Sequence, residues 1–241
     1  WDENKTSFVL HAPLVIDAGG RNSLSLRKFG LKKESKGKEK IALAAHWQGA
    51  KIADDYCYMH VSHPGYTGIS SVGENRSNVV LVVNRNVMNG EKPDPFYRDT
   101  IMKNRLRQKI LQNAECIESV RAVESLGFSV KPVPCGGLLL VGFIDPFTGE
   151  GIYLSLRSSE IAVEVAAQAL KKSDLSLAAL KAYEVKRKVE FDKKFLLSRI
   201  LQKLIYNPFL CDRVVSSLRG NNDLAETLGG GIGDLTPAET V

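Results

Sequence analysis

The sequence predicts a mixed α/β (α+β) fold: a mostly antiparallel sheet, two strand–turn–helix units on either side of it in sequence, and a C-terminal helical region. Three observations carry this. Residues 41–86 hold four short runs with strand-like patterning separated by turn signals, the mark of half-buried strands. Two apolar runs, Leu14-Val15-Ile16 and residues 138–141, each lead into small or glycine-containing turns. From residue 176 onward, apolar residues recur at helical spacing among many lysines and arginines.

In chain order, Phe8-Val9-Leu10 and Leu14-Val15-Ile16 read as short strands. Residues 26–40 form a polar, lysine-rich link containing Gly37 and mark a boundary. Strands follow at 41–47, 56–61, 66–72 and 78–83. The turn signals between them are His63-Pro64-Gly65 and Gly73-Glu74-Asn75-Arg76. Residues 93–116 read as helical, with Phe96, Ile101, Leu106, Ile110 and Leu111 on one side. A further strand region spans 118–131 and is broken by Pro132-Val133-Pro134. A helix over 152–170 puts Leu154, Ile161, Val165 and Ala169 near one face. The last region is one long basic helix or two, interrupted at Pro208, and the glycine-rich tail from Gly229 is expected to be loose. The expected domains are 1–30 with 136–172, then 41–135, then 173–241.

The chain has 241 residues, 44% of them hydrophobic and 25% charged, which suits one large globular domain or two small ones. Cys57, Cys116, Cys135 and Cys211 are scattered without C-x-x-C spacing, which argues against a zinc site or disulfide framework and fits a cytoplasmic setting. No apolar run approaches the roughly 20 residues that span a bilayer. The net charge of +6 gathers at residues 27–40 and 181–194. Neither cluster has interleaved aromatics for base stacking, so nucleic acid is disfavoured. Two readings stay open for them: solvated faces, or peripheral contact with an anionic membrane. His60 and His63 lie close in sequence on a strand and turn with no third ligand at metal spacing, so no metal is expected. Any of the four histidines is a candidate acid–base group, and sequence singles out none. The chain contains no G-x-x-x-x-G-K-[ST] and no G-x-S-x-G, so P-loop and hydrolase-elbow chemistry find no support.

The chemistry concentrates in Pro146-Phe147-Thr148-Gly149-Glu150-Gly151-Ile152. Two glycines two apart let backbone approach a ligand, and the helix start behind them offers unpaired N–H groups and partial positive charge. That combination suits a phosphate or an electron-rich ring edge; the plain alternative is a strand–helix turn. A second element, Leu14-Val15-Ile16-Asp17-Ala18-Gly19-Gly20-Arg21-Asn22-Ser23, is an apolar strand, a small-residue turn and a polar stretch. It resembles the second FAD fingerprint of the p-hydroxybenzoate-hydroxylase-like flavoproteins, and the first run resembles their third. The wording DPFTGEGIYLSLRSSE is most similar to the geranylgeranyl-reductase branch. The order of the motifs, the gap between them, the basic helix, LLSRILQKLIYNPF and GGIGDLTP match as well, so the resemblance covers nearly the whole chain.

The resemblance implies a partial FAD/NAD(P)-binding fold with a substrate sheet. It implies that Asp17, Gly19, Gly20, Arg21, Asp145, Pro146, Gly149, Gly151 and Ile152 approach FAD. Gly149, Gly151 and Ile152 would meet the pyrimidine edge of the flavin, and Pro146 would pack near the ring. Arg21 has two uses, meeting a phosphate or pairing with Asp17. Tyr66-Thr67-Gly68-Ile69 resembles the family strand that runs past the flavin, which makes Tyr66 and Gly68 substrate candidates. Where polyprenyl reductases often carry Tyr-x-Trp-x-Phe-Pro, this chain has Gly68 for Trp and Ser70-Ser71 for Phe-Pro, so a hydroxylase or halogenase-like role stays open beside prenyl reduction.

Two departures bear on the cofactor. No G-x-G-x-x-G lies near Trp1, and the stretch after Val141-Gly142 lacks the acidic residue that the family places there. The expectation is therefore an FAD-dependent oxidoreductase, a reductase or monooxygenase of an apolar unsaturated substrate, present here as a fragment that lacks the N-terminal FAD-binding segment and does not itself retain FAD. An external donor such as NAD(P)H or a reduced carrier would supply electrons. The alternative is a non-catalytic module that binds a partner or a membrane.

Overall fold

The computed structural model describes residues 9–33, 40–126, 129–142 and 151–232. The chain divides into two units. The first holds strand β1 (Val15–Asp17), helix α1 (Leu24–Lys28), strands β2 (Lys32–Lys33), β9 (Ser129–Val130) and β10 (Leu138–Leu140), helix α4 (Gly151–Lys171) and the start of α5 (Leu177–Ile205). The second holds β3 (Lys40–Gln48), β4 (Cys57–Ser62), β5 (Gly65–Ser71), β6 (Arg76–Asn84), β7 (Glu115–Cys116) and β8 (Arg121–Leu126). It also holds α2 (Pro93–Met102), α3 (Arg105–Leu111), the end of α5, α6 (Pro208–Arg219) and α7 (Asn222–Ile232).

The second unit is built on an antiparallel sheet in the order β4-β5-β6-β3-β7, with β8 also paired to β3. In β3 every second residue is buried from Ile41 to Trp47, because apolar side chains on one face meet the helical layer. Ile41, Leu43, Val79, Leu81, Val83 and Ile69 pack with Phe96, Tyr97 and Ile101 of α2 and Leu111 of α3. The indole N–H of Trp47 donates to Tyr97 Oη at 3.0 Å, and that hydroxyl donates to the Val79 carbonyl at 2.9 Å, so both buried polar groups are satisfied. At the β5–β6 turn Gly73, Glu74 and Asn75 all take positive φ.

The strand boundaries in the sheet agree with the alternation read from sequence to within two residues. Elsewhere local chemistry changes the outcome. Val9 and Leu10 pair with nothing among the described residues and are exposed, so the expected first strand is absent there; Phe8 lies outside the described residues. The link at 26–40 carries the end of α1, anchored by buried Leu26 and capped by Ser23, and then β2, which pairs antiparallel with β9.

The helical stretch at 93–116 is two helices and a strand. Asn104 is extended, and its side chain caps the N–H groups of Leu106 and Arg107 at 3.0 and 3.2 Å, which resets the helical phase. Leu106 is therefore exposed while Arg107 is buried. The C-terminal region forms three helices among the described residues, since Pro208 opens α6 at its first turn, where no N–H partner is lost. Gly229 and the residues up to 232 continue α7 instead of starting a loose tail. In α5 the buried stripe carries Phe191, Lys194 and Ser198, whereas Leu196 and Ile200 are exposed.

Candidate functional site

In the first unit β1 and β10 pair in parallel, Val15 opposite Leu138 and Asp17 opposite Leu140. The ladder continues past the strands, where the Val141 N–H donates to the Asp17 carbonyl at 3.0 Å. The two stretches expected to face one ligand, 123 residues apart in sequence, thus end side by side. Carboxyl ends of parallel strands are where open α/β sheets bind ligands.

After β1 the backbone folds around the Asp17 carboxylate. One oxygen accepts the Gly19 N–H at 2.9 Å; the other accepts Ser23 Oγ–H at 2.7 Å and the Ser25 N–H at 2.9 Å. Ser23 Oγ in turn caps the Leu26 N–H at 3.0 Å, so Asp17 fixes both the turn and the start of α1. Gly20 has φ +56°, and a Cβ placed on it would meet nothing within 4 Å, so the turn is left-handed and open at that point. Arg21 lies in the following turn, Gly20–Asn22.

After β10, Gly142 has φ +78° and donates its N–H to Ser158 Oγ of α4 at 3.2 Å. A Cβ on Gly142 would approach Ser155 Oγ to 3.3 Å, so glycine serves both backbone and packing there. Leu154, Ile161, Val165 and Ala169 are buried along α4, as their spacing predicts, while Ile152 in its first turn is exposed. Gly151 is the first residue of the helix. Asp145, Pro146 and Gly149 lie outside the described residues.

Asp17 is the titrating group that defines this turn. Partial burial pushes its carboxyl up, but the hydrogen bonds from Ser25, Ser23 and Gly19 outweigh that and hold it down to about 2. Because the folded value is depressed, the stability Asp17 contributes is present above the ordinary carboxylate range and is lost as pH falls through about 2. Asp17→Ala is expected to cost roughly 1–2 kcal/mol near neutrality. The check is urea unfolding of both proteins from pH 7 down to 2. The difference between them should shrink below pH 4, and a difference that stays constant to pH 2 would mean that Asp17 has no linked role.

Tyr66 and Gly68 belong to the second unit. Tyr66 is buried and packs with Val82, Val80 and Ala42 against Leu201 and Ile205 of α5. This face lies opposite α2 and α3. A Cβ on Gly68 would touch nothing within 4 Å.

Sequence reading missed two features of this unit. His46 Nδ1 lies 2.8 Å from Glu118 Oε1, which also accepts the His46 backbone N–H at 3.0 Å. Arg107 is 1% exposed and donates to the Ile101 and Thr100 carbonyls and to the Ser62 and Thr67 hydroxyls. Neither carries a local signal, since each depends on residues distant in the chain. His60 is held below its usual value by burial and then by the Arg107 charge. Among the described residues no cluster of three potential metal ligands occurs, and no helix is long and apolar enough to cross a membrane.

A parallel strand pair ending in glycine turns, each followed by a helix, together with an antiparallel sheet in its own unit, is a fold the chain shares with solved flavin-dependent enzymes. In sequence the chain is similar to digeranylgeranylglycerophospholipid reductases. It is 30% identical over 233 residues to the digeranylgeranylglycerophospholipid reductase of Methanocaldococcus jannaschii, an alignment of 92% of this chain and 56% of that protein. It is 26% identical to the solved geranylgeranyl bacteriochlorophyll reductase-like protein of Thermoplasma acidophilum, with a TM-score of 0.68 over 81% of this chain and 51% of that one. A flavin-dependent brominase shares the fold at 17% identity, with a TM-score of 0.76 over 95% of this chain and 60% of that one. No protein-family model matches the chain. The chain spans about half the length of the curated relatives it matches.

Proposed function

We propose that the chain serves an FAD-dependent oxidoreductase, in the first place a reductase of an apolar, unsaturated lipid, with oxygenation of such a substrate as the second chemistry. The observation that carries this is the meeting of the carboxyl ends of β1 and β10, each followed by a glycine turn and a helix. The sequence relation to reductases of prenyl lipids supports the substrate class.

The residues fit the cofactor. Gly19 and Gly20 keep the first turn free of side chains, and Asp17 holds its shape. By the sequence resemblance Arg21, in the turn Gly20–Asn22, is assigned to a phosphate or to pairing with Asp17. The N–H groups of Gly151 and Ile152, at the start of a 21-residue helix, favour negative charge on a bound ring edge, and by the sequence resemblance Asp145, Pro146 and Gly149 complete that side. FAD, when bound, supplies the electron transfer, with NAD(P)H or a reduced carrier as donor. The apolar substrate is assigned to the sheet face of Tyr66 and Gly68. Exposed Leu196, Ile200, Phe209 and Leu210 favour peripheral contact with a membrane that would present it.

Without a G-x-G-x-x-G the 241-residue chain is expected to emerge from purification colourless yet bind added FAD weakly. Flavin fluorescence titration should saturate with the native chain. It should fail with Gly20→Val, which places a branched side chain at positive φ. Equal titration curves for the two proteins would defeat the assignment of this turn. A yellow protein with near one equivalent of flavin would show that the glycine loop matters less than argued.

A further inference from the structure

The two edges of the antiparallel sheet are built differently. At one edge β7 is two residues long, β8 pairs with β3 through a register shift, and Glu118 lies in the break between them. Glu115 and Arg121 flank that break. This edge is short, irregular and charged, which blocks pairing with another strand. At the other edge β4, Cys-Tyr-Met-His-Val-Ser, runs six residues in unbroken register on β5. It holds no Asp, Glu, Lys, Arg or Pro, and among the described residues no strand pairs with its outer side.

The register fixes which backbone groups of β4 are open. The Val72 N–H donates to the Arg76 carbonyl at 3.0 Å, so in β5 the N–H and C=O groups of Ser70, Gly68 and Tyr66 turn toward β6. Gly65, Thr67 and Ile69 then bond β4 through Ser62, His60 and Tyr58. Cys57, Met59 and Val61 are left with their N–H and C=O groups aimed outward. Paired with Ser70, Gly68 and Tyr66, they put their side chains on the sheet face away from α2 and α3. Met59 is 47% exposed and Val61 37%, and Cys57 is exposed as well. An open ladder lined by apolar side chains accepts an extended strand.

The strand is complementary to itself. Two copies of β4 running antiparallel about a two-fold axis at Met59 put Met59 opposite Met59 and Cys57 opposite Val61. Each outward N–H then faces an outward C=O, each apolar side chain faces another, and no like charges meet. Such pairing uses both open edges. The joined sheet ends on either side in the charged, broken edge of β7 and β8, so it closes at two copies instead of growing into a fibre. We propose that the chain forms a two-fold symmetric dimer by antiparallel pairing of β4 with β4 of a second copy, centred on Met59. The proposal is independent of the cofactor and substrate readings.

Sedimentation velocity of the full chain tests it. One strand pair makes a small interface, so dimers should dissociate in about the micromolar range. Met59→Lys sets two ammonium groups against each other on the axis and should weaken the dimer about 10-fold or more, with circular dichroism unchanged. Cross-linking reads the register. In a Cys57→Ser background, Met59→Cys brings two Cα atoms to about 5.5 Å, within disulfide reach, and mild oxidation should give a covalent dimer. Val61→Cys in the same background leaves its two Cα atoms about 14 Å apart and should not cross-link. A native chain that stays monomeric to about 100 µM, well above the expected dissociation constant, overturns the proposal. A dimer unaffected by Met59→Lys, or one in which Val61→Cys cross-links as readily as Met59→Cys, overturns the assignment to β4.

Discussion

Arg107→Ala is expected to destabilise the antiparallel unit by about 3–5 kcal/mol, the largest effect of any single substitution considered. The guanidinium is buried between α2, α3 and the β4–β5 hairpin, and among the described residues its partners are uncharged oxygens: two carbonyls of α2 and the hydroxyls of Ser62 and Thr67. Truncation removes the packing of the stem and strands two carbonyls and two hydroxyls without their donor. Arg107→Met keeps most of the volume and should cost less, and the gap between the two variants measures the cavity. Urea unfolding checks both, with the midpoint falling at constant slope. A loss below about 1 kcal/mol for the alanine variant would mean that water replaces the guanidinium, and the picture of a buried tie would fail.

Gly65→Ala and Gly68→Ala should move stability in opposite directions, although the residues lie three apart on one strand. A Cβ on Gly65 would sit 2.0 Å from the Val82 carbonyl oxygen, and the obstacle is the backbone of the paired strand. Strand β5 would have to leave β6 at its first pair, carrying Tyr66 with it. The expected cost is roughly 3 kcal/mol. Gly68→Ala meets open space at ordinary φ and should gain about 0.4–1 kcal/mol by restricting the unfolded chain. The same denaturation experiment reads both. A neutral Gly65→Ala would contradict the register of β5 on β6. A destabilising Gly68→Ala would mean that the space above that residue is filled.

The contrast bears on why a glycine stands at 68. Stability alone would favour a side chain there, so its presence fits a position kept clear for a ligand. Gly65 has a packing reason and needs no ligand to explain it.

The sequence by itself determined the parts whose signal is local and periodic. The alternation in β3 and β6 placed the sheet, because residues two apart share a face and only one face can be buried. The helical spacing of Leu154, Ile161, Val165 and Ala169 placed α4 for the same reason at a different period. The glycine turn after Asp17 was legible because glycine is the residue that takes positive φ without strain. Tertiary structure decided the rest. The split between α2 and α3 turns on one asparagine cap, which a periodicity average passes over. The burial of Arg107 required hydroxyls from 40 and 45 residues away to meet it. His46 and Glu118, 72 residues apart, meet only because Glu118 falls in the break between β7 and β8 on the edge of β3. Polar and charged side chains read as surface in a sequence. Whether one is instead buried or oriented depends on which distant donors and acceptors the folded backbone brings within hydrogen-bond reach.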